Sequence, residues 1–260
     1  MSVEVRDLSF AYGSHQVLRH VDFSVSDGEF LSILGSNGVG KSTLFRCILG
    51  LLPGYEGKVL INGQETRRLS AAKMAKLVAY IPQHCSPSFN YSVEDVLLMG
   101  TTAGMSALGS PGAKERERVG WALDKIGISQ LRSCCFHHLS GCERQLAVIA
   151  RELVQEAKVL MLDEPTASLD FGNQMLVLSQ VRALADEGYT VIQTTHNPEH
   201  SYMFSDRVLA LRDGGILAQG SPQQVLTSEM VSSLYGIDVE ISSLFDDRVR
   251  VCTPKKLARG

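Results

Sequence analysis

The sequence predicts an α/β protein: a core of alternating strands and helices built around a phosphate-binding loop (a P-loop core), with an antiparallel β subdomain and an inserted helical subdomain. Three observations lead there. A short apolar run, "FLSIL", passes straight into the glycine-rich "GSNGVGKST" and then into a helical stretch. The first third otherwise alternates apolar and polar residues in short runs bounded by Gly and Asn, the pattern of half-buried antiparallel strands. From about residue 84 to 155 the pattern turns helical, and after it strands and helices alternate again.

The elements follow in order. "VEVRDLSF", "QVLRHVDFSV" and "KVLING" read as strands. "LFRCILGLL" reads as a helix that ends before Pro53 and Gly54. In the helical region "VEDVLLMG" opens a helix after Ser92, and "AKERERVGWALDKIG" gives a second. A third begins in "LSGCERQ", where Ser140 and Glu143 stand three apart as a capping box; Leu146, Ile149 or Ala150, and Leu153 then form a stripe at helical spacing. The glycine-rich "TTAGMSALGSPG" is an irregular connector. Beyond it come a strand in "VLML", a helix in "NQMLVLSQVRALADEG" and a strand in "YTVIQTT", then a hairpin in "RVLALRDGGILAQG" turning at Asp213 and Gly214. The mildly basic end, "RVRVCTPKKLARG", reads as a loose tail. The organisation expected is a nucleotide-binding core with its β subdomain over 1–83 and 156–240, a helical subdomain over 84–155, and a C-terminal extension over 241–260.

Composition narrows the function classes. With 260 residues, 44% of them hydrophobic and 20% charged, the chain can bury one large core or two modest ones. Lys and Arg total 25 against 28 Asp and Glu, a formal charge of -3, so no global basic field attracts a nucleic acid. No apolar run is long enough to cross a bilayer, and the start "MSVEVRDLSF" lacks the basic and apolar regions of a secretion signal. A cytoplasmic protein with reduced thiols is expected. Its six cysteines include no C-x-x-C pair, and the adjacent residues of "CCFHH" are poorly spaced to converge on one tetrahedral ion.

The chemistry concentrates in a few segments. Gly35 to Ser42, "GSNGVGKS", fits the pattern G-x-x-x-x-G-K-[ST] after a strand and before a helix. Backbone N–H groups from Gly35, Ser36, Asn37, Gly38, Val39 and Gly40 through Thr43 can curl around phosphate oxygens. Lys41 can reach the terminal phosphates, and the Ser42 hydroxyl can ligate Mg2+. This is a nucleoside triphosphate site. In "VLMLDEP" Asp163 closes a buried strand, where a carboxylate is costly unless hydrogen bonds or a cation compensate it, and Mg2+ is the cation expected. Glu164, next along, can orient or deprotonate an attacking water; "LDEP" alone would equally serve as a helix cap. His196 ends the strand "TTH" at the edge where open α/β sheets bind ligands; a lone histidine there is more often structural, but with three strand ends converging it is expected to hydrogen-bond the terminal phosphate. Gln83, where the core hands over to the insert, can touch Mg2+ and report its presence.

Taken in order, the phosphate loop, Gln83, "LSGxxRQ", "LDEP", "SLD" and His196 resemble the nucleotide-binding subunit of ATP-binding cassette (ABC) transporters, over about residues 2 to 240. The "LSG" segment is specific to that family among phosphate-loop proteins. The resemblance implies an ATPase in which two copies stack head to tail, each MgATP lying between one copy's phosphate loop and the other's "LSG" helix. Ser140, Gly141 and Cys142 would then face the second copy's γ-phosphate, and Asp170 would cross the interface. Tyr12 would stack on adenine, the other reading being a packed aromatic. "LVAYIPQ", "YSVEDVLLMG" and "TASLDFGNQ" are most similar to the ATPases of importers for iron siderophores, haem and cobalamin. Such importers pair two ATPases with two transmembrane permease subunits, fed by an extracytoplasmic binding protein, which places this chain on the cytoplasmic face of the membrane. The sequence departs from the family at Cys142, where the signature has its second glycine. A side chain is therefore expected at the phosphate contact, slowing hydrolysis, with a thiol made acidic by the helix N-terminus. Two other classes fit less well: a nucleic-acid-acting ABC ATPase, which would carry a long coiled coil or a second cassette, and a regulatory ATP-binding module with weak hydrolysis.

Overall fold

The computed structural model describes residues 2–83, 90–104 and 111–256. Cys85, the first residues of the expected insert, residues 105–110 of the glycine-rich connector and the last four residues lie outside the described residues. The chain forms two compact units, one of residues 1–68 with 185–260, the other of residues 69–184. The described part of the expected helical insert falls within the second.

In the first unit β1 (Val3–Tyr12) pairs antiparallel with β2 (His15–Val25), and β3 (Phe30–Leu34) is buried at every residue. The phosphate-loop segment follows β3 and leads into α1 (Lys41–Ile48). This helix is shorter than expected. It stops well before Pro53 because Gly50, at φ 69°, takes a left-handed turn in which Gly50 N–H bonds Cys47 O and Leu51 N–H bonds Arg46 O. β4 (Glu56–Ile61) and the short β5 (Gln64–Glu65) complete an antiparallel sheet of order β2-β1-β4-β5.

The second unit opens with α2 (Ala71–Leu77), a helix not anticipated, whose cap Ser70 accepts from Lys73 N–H. β6 (Val78–Ile81) pairs in parallel with β7 (Val159–Asp163), which is buried throughout. Between them lie the three expected helices. α3 (Val93–Met99) starts at a Ser92–Asp95 capping box, α4 (Ala113–Ile126) ends at left-handed Gly127, and α5 (Gly141–Leu153) carries its buried stripe at Leu146, Ile149, Ala150 and Leu153. α6 (Phe171–Asp186) follows β7.

The chain then returns to the first unit. β8 (Thr190–Thr195) and β9 (Arg207–Arg212) flank β3 in parallel, as expected for a central strand buried at every residue and apolar except at Ser32, and β10 (Gly215–Gly220) pairs antiparallel with β9. The hairpin turns at Asp213 and Gly214, with φ of 50° and 78°. A Cβ on Gly214 would lie 2.3 Å from Val17 O, so the close approach to β2 requires glycine. Three short helices were not anticipated: α7 (Pro198–Phe204), α8 (Pro222–Val225) and α9 (Ser228–Tyr235). The expected loose tail is instead structured as far as the residues are described. β12 (Val249–Pro254) pairs with β11 (Val239–Leu244) from Val239↔Pro254 to Leu244↔Val249, so the C-terminal hairpin begins two residues before the expected extension. It packs on a core that includes Leu34, Tyr202, Val208, Val231 and Leu234.

Candidate nucleotide site

In the first unit the loop between β3 and α1 is shaped by its glycines. Gly35 N–H bonds Thr195 O at 3.3 Å, tying the start of the loop to the end of β8. A Cβ on Gly35 would meet Leu211 O at 2.7 Å, and Gly38 and Gly40 lie at φ 81° and 111°, where side chains are strained. Gly40 caps α1 without a side chain, and the first turn holds no acidic residue. The helix N-terminus therefore presents donors and the positive dipole end with no internal carboxylate to answer them. Lys41 is 5% exposed; its Nζ donates to Gly35 O at 2.8 Å and Ser36 O at 3.1 Å, curving back over the loop. Ser36, Asn37 and Gly38 are exposed, while Val39, Ser42 and Thr43 are half-buried. An exposed loop with two left-handed glycines, an uncompensated helix end and a lysine folded over it fits a polyphosphate.

Because β3 and β8 pair in register up to Leu34↔Thr195, His196 leaves its strand beside Gly35. It is exposed, and the next turn buries His200, whose imidazole burial and the nearby His196 hold below the ordinary value. Tyr12, at the end of β1, is 46% exposed with its ring edge-on to Phe10 at 4.9 Å between centroids. That geometry leaves both its stacking and its packing reading open.

In the second unit, Gln83, Gly141 and Glu164 come together, lining a cavity of about 130 Å³ with Arg144, Gln145 and Leu169. Arg144 and Gln145 were not singled out in the sequence, although both belong to the "LSGCERQ" run. Arg144 Nη2 donates to Leu139 O at 3.2 Å, bracing the chain before α5; Arg144 Nε and Gln145 Nε2 are buried and meet no hydrogen-bond partner among the described residues. Such donors are costly to leave unmet, which marks the cavity as a place for a polar group.

At the head of α5 the capping box is formed. Ser140 Oγ accepts from Glu143 N–H at 3.3 Å, and Glu143 Oε2 accepts from Ser140 N–H at 2.8 Å. The Ser140 hydroxyl also donates to Glu143 Oε2 at 2.7 Å, and this bond, followed by the one from Ser140 N–H, holds the Glu143 carboxyl below its usual value. Gly141 is exposed, and a Cβ there would touch Leu169 at 3.4 Å. Cys142 corrects two expectations. It is only 6% exposed, so its side chain is turned into the protein and does not stand at the surface. Burial first, then the Asp170 and Glu143 carboxylates, push its thiol up, so it is not an activated nucleophile.

Asp163, at the end of β7, is 5% exposed, and Tyr80 Oη lies 3.5 Å from its Oδ2. Glu164 has φ 47°, a left-handed conformation uncommon for a non-glycine residue. Strain of this kind gathers at functional sites. Asp170 accepts from Asn173 N–H at 3.0 Å and Asn173 Nδ2 at 2.7 Å, fixing the start of α6. Among the described residues no three His, Cys, Asp or Glu side chains cluster to hold a metal, and "CCFHH" includes a short 3-10 turn that buries Phe136. Also among the described residues, no helix is long and apolar enough to cross a membrane.

A family model described as ABC transporter matches residues 18–167. The chain is 33% identical over 241 residues to an ABC transporter ATP-binding protein of Haemophilus influenzae, covering 93% of this chain and 92% of that one. It is 32% identical over 258 residues to the petrobactin import ATP-binding protein FpuC of Bacillus anthracis, covering 99% and 94%. Among solved structures, an ABC transporter assigned to the metal-chelate type, in an inward-facing conformation, superposes with a TM-score of 0.86 at 30% identity, covering 98% of each chain.

Proposed function

The chain belongs to the ATP-binding subunits of ABC transporters, and on that premise we propose that it binds and hydrolyses MgATP to power an importer of metal chelates such as iron siderophores or haem, or of cobalamin. The observation that carries this is the loop from Gly35 to Thr43, with its left-handed glycines, its α1 N-terminus free of acidic residues and Lys41 laid across it. Relatives named for petrobactin and hemin import support the cargo class.

In this reading the loop N–H groups and Lys41 hold the phosphates, and Tyr12 carries the adenine. Ser42, Gln83 and Asp163 would hold Mg2+, a hard ion that suits hydroxyl, amide and carboxylate oxygens. Bound there, Mg2+ would supply positive charge to offset the negative charge on the phosphate oxygens during transfer. Glu164 accepts the proton of the attacking water, and His196 donates a hydrogen bond at the terminal phosphate. Ser140, Gly141 and the backbone N–H of Cys142, at the head of α5, address the nucleotide of a second copy, and Asp170 meets that copy. Two permease subunits receive the motion of closing and reopening at the cytoplasmic face of the membrane, with an extracytoplasmic protein delivering cargo to them.

Glu164→Gln tests the reading. Nucleotide binding should persist, and ATP should draw two copies together, while turnover falls by about 10²-fold or more. Unimpaired hydrolysis would remove Glu164 from the role of base. Co-purification of a polytopic membrane protein tests the transport half.

A further inference from the structure

The turn that bears His196 is gripped from far along the chain. Locally it is ordered by Asn197, whose N–H bonds Thr195 Oγ1 at 3.0 Å and whose Oδ1 accepts from Glu199 and His200 N–H at 2.9 and 3.1 Å. The carbonyl of His196 itself accepts a hydrogen bond from Tyr235 Oη at 2.6 Å, across 39 residues. Tyr235 is the last residue of α9, and its ring packs on the core cluster beneath the C-terminal hairpin. Gly236, at φ 70°, ends the helix there. A phenol anchored in this way has little freedom to follow the carbonyl if it moves.

The same hairpin holds α7, which follows directly from the turn. Cys252 N–H on β12 donates to Glu199 Oε1 at 3.0 Å, and Tyr202 Oη donates to Asp247 O at 2.7 Å. Arg250 closes the bracket: it pairs with Asp247 at 2.9 and 3.0 Å, lies 4.8 Å over the Tyr202 ring, and donates to Gln223 O and Leu226 O at 3.0 Å each. Two anchors on α7 and one on the carbonyl of His196 fix the backbone from which the imidazole projects. A misplacement of a fraction of an ångström in such a group is felt in rate before it is felt in binding.

The geometry points to Tyr235 as a positioning residue for His196, with the C-terminal hairpin as the bracket that keeps the histidine aimed. This rests on the reading of His196 as the group that hydrogen-bonds the terminal phosphate. Tyr235 does not touch substrate; its effect passes through the carbonyl it holds.

Tyr235→Phe removes the hydroxyl and keeps the packed ring. Turnover of MgATP should fall about three- to tenfold, the size of one lost positioning hydrogen bond, with KM for ATP unchanged within about twofold. In the nucleotide-free protein the imidazole NMR signals of His196, assigned with His196→Gln, should shift, and amide exchange over 196–200 should quicken. His196→Ala should lose far more activity, and adding Tyr235→Phe to it should cost nothing further. If His196→Ala hydrolyses ATP normally, the reading of His196 falls and the inference with it. If His196→Ala is inactive but Tyr235→Phe matches the unaltered protein in turnover and in the His196 signals, the inference alone is overturned. A drop in turnover with the His196 signals and exchange unmoved would make Tyr235 a general stabiliser and reject the positioning role.

Discussion

The two helix N-termini proposed to face phosphate are built in opposite ways. α1 starts at Gly40, has no side-chain cap and no acid in its first turn, and lays Lys41 over the loop before it. α5 starts at Ser140, closes a full capping box and carries Glu143 in its first turn. The first helix has neither a capping side chain nor an acid of its own at its positive end, which suits an anion there; the second satisfies part of its own demand through its capping box. The difference suits a cradle that holds nucleotide throughout and a second face that makes and breaks its contact. On the proposed reading, affinity would belong to the α1 end, and the exposed glycine at the α5 end would lend closure.

The largest effect expected from this contrast is at Lys41. Lys41→Ala should weaken ATP binding by at least about 30-fold in a fluorescent-nucleotide titration, because charge-assisted bonds at a buried ammonium are lost. Ser140→Ala should instead cost about 1 kcal/mol of stability by chemical denaturation and leave ATP affinity nearly unchanged. If Ser140→Ala weakened nucleotide binding to a single copy as much as Lys41→Ala, the division of labour would be wrong. Cys142→Gly should be smaller again in function. With the side chain turned inward, turnover should stay within about twofold and stability should drop by about 1 kcal/mol; in the unaltered protein a thiol reagent at neutral pH should modify Cys142 more slowly than in an unfolded control. The smallest effect is with pH. The Glu143 carboxyl is held below 4.5, so its contribution is present above that value and is lost as pH falls through the lowered one. Amide exchange at the head of α5 should quicken over that acid range, while the head of α1, lacking an acid, should show no matching step.

What the sequence made legible was local. "GSNGVGKS", the Ser140–Glu143 box and the Asp213–Gly214 turn each carry their geometry within a few residues, and all three are formed as read. What it hid was pairing at a distance. "VRVCTP" gains order only from a β11 partner that precedes it and a core beneath, so alone it reads as tail. The burial of Cys142 is a tertiary outcome, with Asp170 from farther along the chain acting on its thiol, and the bond from Tyr235 to His196 spans 39 residues. The early end of α1 is a near miss, since Gly50 outranks Pro53 once its left-handed turn is available. Glu164 gave no sign at all of its backbone conformation.

That conformation has a cost to anyone seeking a hardier protein. A glycine in place of Glu164 would relieve about 1 kcal/mol of left-handed strain and rise readily in a screen for heat resistance. The same exchange deletes the carboxylate on which turnover is proposed to depend. Selection for ruggedness alone would thus drift toward a robust and idle motor, and any campaign of that kind should score ATP consumption beside melting temperature.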